Sequence, residues 1–180
     1  MTITDPVSAR NLDGYGDELI DWTVVLERLG HGLTQAPDTG GPNRHTPWLT
    51  TIRSGGAPHT RPVGVVWVDG SFYFNSGDTT GKGRNLSADS RCSLAVATHE
   101  WDLVVEGRAE RVTDRAELER VADAFRDGGW EPEVRDGALH AEFSAPSAGP
   151  PPWYLYRVEA EVVYAFGTAP PFGATRWQFT

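Results

Sequence analysis

The pattern of apolar and polar positions predicts a chain built mostly of short strands. Trp48-Leu-Thr-Thr-Ile52 reads as a first strand, and Ser54-Gly-Gly-Ala-Pro58 as the turn after it. Arg61-Pro-Val-Gly-Val-Val-Trp-Val68 reads as a second strand. Asp69-Gly70 follows, a dipeptide that tolerates the positive φ of a hairpin turn. Ser71-Phe-Tyr-Phe-Asn-Ser76 would then pair back on that strand. Cys92 to Ala97, Asp102 to Val112, Trp153 to Val158 and Glu161 to Phe166 supply further strands. Gly107 interrupts one of them, as a bulge or sharp bend would.

Two other segments carry helical spacing. Leu19, Ile20, Val24, Leu26 and Leu29 predict a helix over 17–29, closed by Gly30 and Gly32. Asp114 opens the other, with Glu117 placed for a capping box. Leu118, Val121, Ala122 and Phe125 share its inner face, and Gly128-Gly129 stops it. Residues 1–16 read as an arm with little structure of its own, and 17–180 as a single domain. Residues 35–44 read as a loop, either a flap over a pocket or a plain connection. Residues 130–152 form a longer connection of the kind that serves as a lid or faces a partner. Residues 172–179 read as a tail. Six or seven strands with two or three helices make the fold class mainly β. The expected architecture is a closed or nearly closed antiparallel barrel with flanking helices.

The segment after the hairpin carries the chemistry. Gly77-Asp-Thr-Thr-Gly81 is a polar loop that releases the chain into a short helix. Lys82, Arg84 and Asn85 fall in its first turns, and Leu86 faces inward. A helix start offers unpaired N–H groups and a partial positive charge, so hydroxyls and an ammonium placed there suit a phosphate. Lys82 is the only lysine, against fifteen arginines. A GC-rich genome gives the same bias, and an ordinary exposed lysine is the plain alternative.

Composition narrows the classes. The 180 residues are 39% hydrophobic, enough for one core. A net charge of −9 argues against a nucleic-acid partner. One cysteine, Cys92, excludes an internal disulfide and falls in an apolar strand, where an inert thiol is expected. The polar start and the lack of an apolar run of about 20 residues make a cytoplasmic protein without a membrane span the expectation. The histidines show no HxH or HExxH spacing, so no metal site is expected, and His59 reads as a strand-edge residue facing water or reaching a ligand. There is no G-x-S-x-G elbow, and Gly81-Lys-Gly83 lacks the third glycine of a dinucleotide fingerprint. Of the seven tryptophans, most are expected in core or interface packing. Trp67 is the best placed to line a planar-ligand pocket.

Arg61-x-Val, the hairpin, the Phe/Tyr-rich strand, Thr80-x-Lys82, Asn85-Leu86 and Asp89-x-Arg91-x-Ser93-Leu94 together resemble the pyridoxamine 5'-phosphate oxidase-like proteins. These are flavin- and deazaflavin-binding split β-barrels. The resemblance covers 46–166 and is strongest over 59–94. It implies a cofactor-dependent oxidoreductase that transfers a hydride to or from a small organic substrate. The cofactor would be FMN or coenzyme F420, held across a homodimer interface. The resemblance places the ring against Arg61, Pro62, Val63 and Gly64, with Arg61 steadying the ring or the phosphate. Asn75 and Ser76 would take the ribityl chain, Thr80 and Lys82 the phosphate, and Asn85 would fix the turn. Partner residues, from the 145–153 segment or the tail, would complete the pocket. Where many members carry an arginine before the lysine, this chain has Gly81, which would leave a longer cofactor room to pass. Pyridoxamine phosphate oxidation itself is not expected, because the chain ends Arg176-Trp-Gln-Phe-Thr180 and not in a basic Arg-Leu-x-Pro tail. The alternatives are a non-catalytic flavin- or haem-binding split barrel and a binding protein without cofactor.

Overall fold

The computed structural model describes residues 5–35, 44–170 and 172–179. The flap reading of the 35–44 loop falls largely on residues outside that set. In chain order the elements are β1 (Ser8–Asn11), α1 (Trp22–Gly30), β2 (Trp48–Ile52), β3 (Pro58–Pro62), β4 (Val65–Val68), β5 (Ser71–Ser76) and α2 (Gly81–Ala88). They continue with β6 (Arg91–Ala97), β7 (Trp101–Arg111), α3 (Arg115–Asp127), β8 (Glu133–Arg135), β9 (Ala138–His140), β10 (Tyr154–Gly167) and β11 (Ala174–Gln178). All strand pairings are antiparallel, and the architecture is a mainly β split barrel.

The sheet runs β1-β11-β10-β7-β6-β2-β3 and forks at β10. One edge of β10 pairs with β7 along its length. The other edge pairs with β5 over Tyr154–Val158 and with β11 over Val162–Phe166. The two closing strands expected at 153–158 and 161–166 are therefore one strand. Its register shifts between Ala160 and Val162, and this bulge looks in sequence like a strand break. Gly107 sits opposite, paired with Ala160.

Other expectations shift similarly. The 61–68 run is broken: Pro62 ends β3, which pairs with β2, and Val65 begins β4, which pairs with β5. The tail holds a strand, β11, and the arm supplies β1 beside it. Asp21 caps α1 by accepting from the Thr23 N–H, and the Ile20 N–H donates to Thr175 Oγ1 at 2.8 Å, so 17–21 stay extended. The buried face of α1 is Trp22, Val25 and Leu29, while Leu19 and Val24 are exposed.

Two apolar layers hold the elements. The barrel interior gathers Leu49, Phe72, Phe74, Leu94, Leu103, Val105, Val158 and Val163, and α1 closes one part of it through Trp22 on Trp177 and Phe179. On the outside, α3 presses Leu118, Val121, Ala122 and Phe125 onto Tyr73, Leu139 and Leu155. The Asp114 cap forms as expected, its Oδ1 accepting from the Glu117 N–H at 2.8 Å. Glu117 itself accepts from the Tyr73 hydroxyl and from Arg157, tying α3 to the sheet. Cys92 is buried, which pushes its thiol up to about 12 and keeps it unreactive. Among the described residues no helix is long and apolar enough to cross a membrane.

Candidate functional site

The start of α2 is built by a tight hydrogen-bonded turn. The Thr80 hydroxyl accepts from the Gly83 N–H at 3.0 Å and donates to the Gly77 carbonyl at 2.8 Å. The Ser76 hydroxyl lies 2.8 Å from it and is itself buried. Asn85 donates to Thr51 Oγ1 at 2.9 Å, which pins α2 to β2. Leu86 faces the barrel interior, and Gly83 packs so closely that a side chain there would strike the Gly77 carbonyl. The 148–153 segment of the same chain buttresses this turn. The Ala148 and Pro152 carbonyls and the Trp153 ring stand 3.6 Å from where a Gly77 side chain would begin.

Two backbone donors are left over. The N–H groups of Gly81 and Lys82 open the helix and have no partner among the described residues, and no acidic residue occupies the first turn. Half-buried Lys82 likewise has no hydrogen-bond or ion-pair partner among the described residues. Burial holds its ammonium below the usual lysine range. Across from it lies His59 on β3, only 8% exposed, with its Nδ1 lacking a partner among the described residues. Burial first, then the charges of Arg61, Arg53 and Lys82, hold the imidazole below its ordinary value. Arg61 is two residues on, on the same face of β3, and exposed. The acids that flank α2 in sequence are engaged elsewhere: Asp78 with Arg111 at 3.6 Å and Asp89 with Arg91 at 2.6 Å. The result is a cationic, donor-rich corner without a counter-ion among the described residues.

The sequence-predicted residues divide. Arg61, Lys82 and Asn85 come to this corner. Thr80 comes with them, but its hydroxyl is spent on the cap. Ser76 is spent in the same way, so the ribityl role read for it does not fit: its oxygen is buried in the turn. Asn75 is sent to the opposite face of β5 by strand alternation, the face carrying Tyr73 that α3 covers, so it cannot share a groove with Ser76. Pro62, Val63 and Gly64 form the break between β3 and β4, where Pro62 and Gly64 are exposed and a Gly64 side chain would meet nothing. Trp67 packs edge-on against Phe72 at 4.6 Å between ring centres. It is partly buried and packs on the barrel core.

His59 is the residue that sequence reasoning undervalued. It is buried, not water-facing. Its ring fills the space that Gly81 leaves: a Cβ on Gly81 would stand 3.1 Å from the imidazole Cε1 and 3.4 Å from Nε2. The room expected above Gly81 for a longer cofactor is therefore taken. The available signal was the pairing of His59 and Arg61 at i, i+2 with a glycine where a bulky cation was expected. A separate depression lined by Glu131, Glu133, Arg135, His140 and Phe143 shares no residue with the corner. Among the described residues no three His, Cys, Asp or Glu side chains converge as metal ligands.

Solved structures share this architecture. The conserved hypothetical protein Rv2991 of Mycobacterium tuberculosis superposes with a TM-score of 0.60 at 17% identity, over 87% of this chain and 90% of that one. PhzG of Burkholderia lata, solved with tetrahydrophenazine-1-carboxylic acid, gives 0.56 at 16% identity over 93% and 90%. A heme binding protein of Mycobacterium smegmatis gives 0.53 at 17% identity, over 76% of this chain and 54% of that one. The chain spans half the length of one further match. No curated protein matches the sequence. The family model for pyridoxamine 5'-phosphate oxidase (PNPOx_N) matches residues 36–164, a span that contains β2 to β7, the hairpin, α2 and most of β10. That match spans more than half of the chain, and the chain belongs to the pyridoxamine 5'-phosphate oxidase-like family.

Proposed function

We propose that this protein is an oxidoreductase that binds a phosphorylated flavin or deazaflavin, FMN or coenzyme F420, and transfers a hydride to or from a small organic substrate. The observation that carries the reading is the uncompensated cationic corner. Lys82, His59 and the N–H groups of Gly81 and Lys82 converge with no anion to satisfy them among the described residues. A phosphate placed there accepts from the helix start and pairs with the half-buried ammonium. Arg61 reaches the same charge from the exposed end of β3. Pro62, without an N–H, and Gly64, without a side chain, let a flat ring lie against the β3–β4 break. Ser76, Thr80 and Asn85 act beneath the ligand by fixing the turn. The cofactor, when bound, supplies the hydride chemistry, which leaves the chain to bind, orient and exclude water.

A homodimer accompanies this reading. Direct strand partners line Pro62, Trp48, Ala95, Val104 and Tyr164 in one row across the outer face of five strands. Trp48 in that row is 47% exposed. An apolar band that ends at Pro62, beside the ring position, is suited to burial against a second copy. Sedimentation of the wild type should give a dimer, and Trp48→Glu should shift it to monomer; a monomeric wild type would refute the assembly.

The functional test is a cofactor titration read by absorbance and fluorescence. A flavin absorbs near about 450 nm and a deazaflavin near about 420 nm, whereas a haem carrier shows a Soret band. Lys82→Ala should weaken flavin or deazaflavin binding by about 1.5–3 kcal/mol, the range for a hydrogen bond to a charged group. Unchanged affinity would remove the phosphate from α2. A Soret band on haem addition, with no response to either flavin, would make the protein a non-catalytic carrier.

A further inference from the structure

We propose that His59 makes this site selective for a terminal phosphate monoester, by taking up a proton when the phosphate dianion docks on the start of α2. The inference rests on the cofactor reading above and narrows it to FMN over coenzyme F420. Three features place His59 in that role. It is nine-tenths buried with an unpartnered ring nitrogen. Its Cε1 and Nε2 would stand 3.1 and 3.4 Å from a Cβ on Gly81, the residue that opens α2, and the unpartnered Nδ1 3.9 Å. The charges acting on it are all positive: Arg61 on its own strand, Arg53 beyond β2, and Lys82 on α2. From β2 the Thr51 hydroxyl donates to the His59 carbonyl and not to the ring.

In the free protein those surroundings hold the ring neutral near pH 7. A doubly charged phosphate supplies what is missing, and its field raises the proton affinity of the ring. A monoester carries about two charges at neutral pH, because its second ionisation lies near about pH 6. A diester such as the F420 phosphate carries one, and continues beyond the phosphorus into a tail. Less charge favours the imidazolium less, and the ring occupies the space above Gly81 through which a tail would leave.

The sign of the pH effect follows. The imidazole affinity for protons is low in the free protein and high in the complex, so binding takes up a proton between those two values. Affinity for FMN should fall about ten-fold from about pH 6.5 to pH 8. Phosphate ionisation acts in the opposite direction, gaining charge as pH rises. A site made of Lys82 and amides alone would therefore bind as tightly or more tightly at pH 8.

Calorimetry of the wild-type protein in two buffers of different ionisation enthalpy measures the proton directly. The expected result is uptake of about half a proton or more per FMN near pH 7.5, and none with riboflavin, which lacks the phosphate. His59→Gln should abolish the uptake and flatten the pH profile, and F420 should bind at least about ten-fold more weakly than FMN. FMN binding without proton uptake, or F420 binding as tightly, would overturn this inference alone. If FMN and F420 both fail to bind, the cofactor reading falls and this inference with it.

Discussion

Gly107→Ala is expected to cost the fold about 3 kcal/mol, with the denaturation midpoint falling accordingly. The added methyl would land on the Glu159 carbonyl oxygen, with the Glu159 carbonyl carbon and Ala160 Cα about as close as atoms can stand. All three are backbone atoms of β10, so no side-chain rotation makes room. The strand can move only by breaking the β7–β10 ladder, and β10 carries the fork of the whole sheet. Its first half holds β5, whose end leads into the Gly77 turn, and its second half holds β11. A loss of this size is a large share of the roughly 5–15 kcal/mol that keeps a domain folded. Gly55→Ala is the matched control: a methyl there meets nothing within 4 Å, and the midpoint should stay within about 0.5 kcal/mol. Equal midpoints for the two variants would mean that the bulge absorbs the methyl and that the fork is not rigid.

The same position shows what a linear reading can and cannot reach. Strand alternation located β2, β5, β6 and β7 to within a residue or so, because one face of each packs on the barrel interior and the pattern reports that contact. The Asp114–Glu117 cap was legible because its bond spans only three residues. What was missed depends on contacts between distant segments. Gly107 announced a bulge, but the bulge lies in β10, so that strand looked like two. β1 is a short exposed edge strand and β11 a five-residue strand between it and β10, and they read as arm and tail until they pair with each other and with β10. The α1 face was displaced because Thr175 captures the Ile20 N–H and delays the helix. In the site, Lys82 stood out by composition and Arg61 by resemblance. Ser76 and Thr80 were assigned to a ligand because a hydroxyl near a helix start looks the same whether it caps the helix or waits for a phosphate. His59 was undervalued because its burial is made by Gly81 and α2, which the local sequence of β3 does not contain.

Gly83→Ala should lower cofactor affinity by at least about a hundred-fold, about 2.7 kcal/mol, and leave the barrel folded. Alanine ordinarily favours a helix over glycine by roughly 1 kcal/mol, so propensity alone predicts the opposite sign. Contact decides against it. The new methyl would fall on the Gly77 carbonyl oxygen, which already accepts from the Thr80 N–H at 3.1 Å and the Thr80 hydroxyl at 2.8 Å. The turn must open, and Thr80 can no longer cap α2. The free N–H groups of Gly81 and Lys82 and the Lys82 ammonium then lose the fixed geometry that suits them to a phosphate. Fold stability should drop by only about 1–2 kcal/mol, the cost of a lost cap, because Leu86 is the one α2 side chain in the apolar layers. Gly81→Ala is the instructive comparison. There the methyl meets the His59 ring edge at 3.1 Å, a side chain that can yield slightly, so its effect on affinity should be smaller. Thermal melts beside FMN titrations of the two variants test the assignment. Wild-type affinity in Gly83→Ala would show that the phosphate is not seated on α2, whatever else the barrel binds.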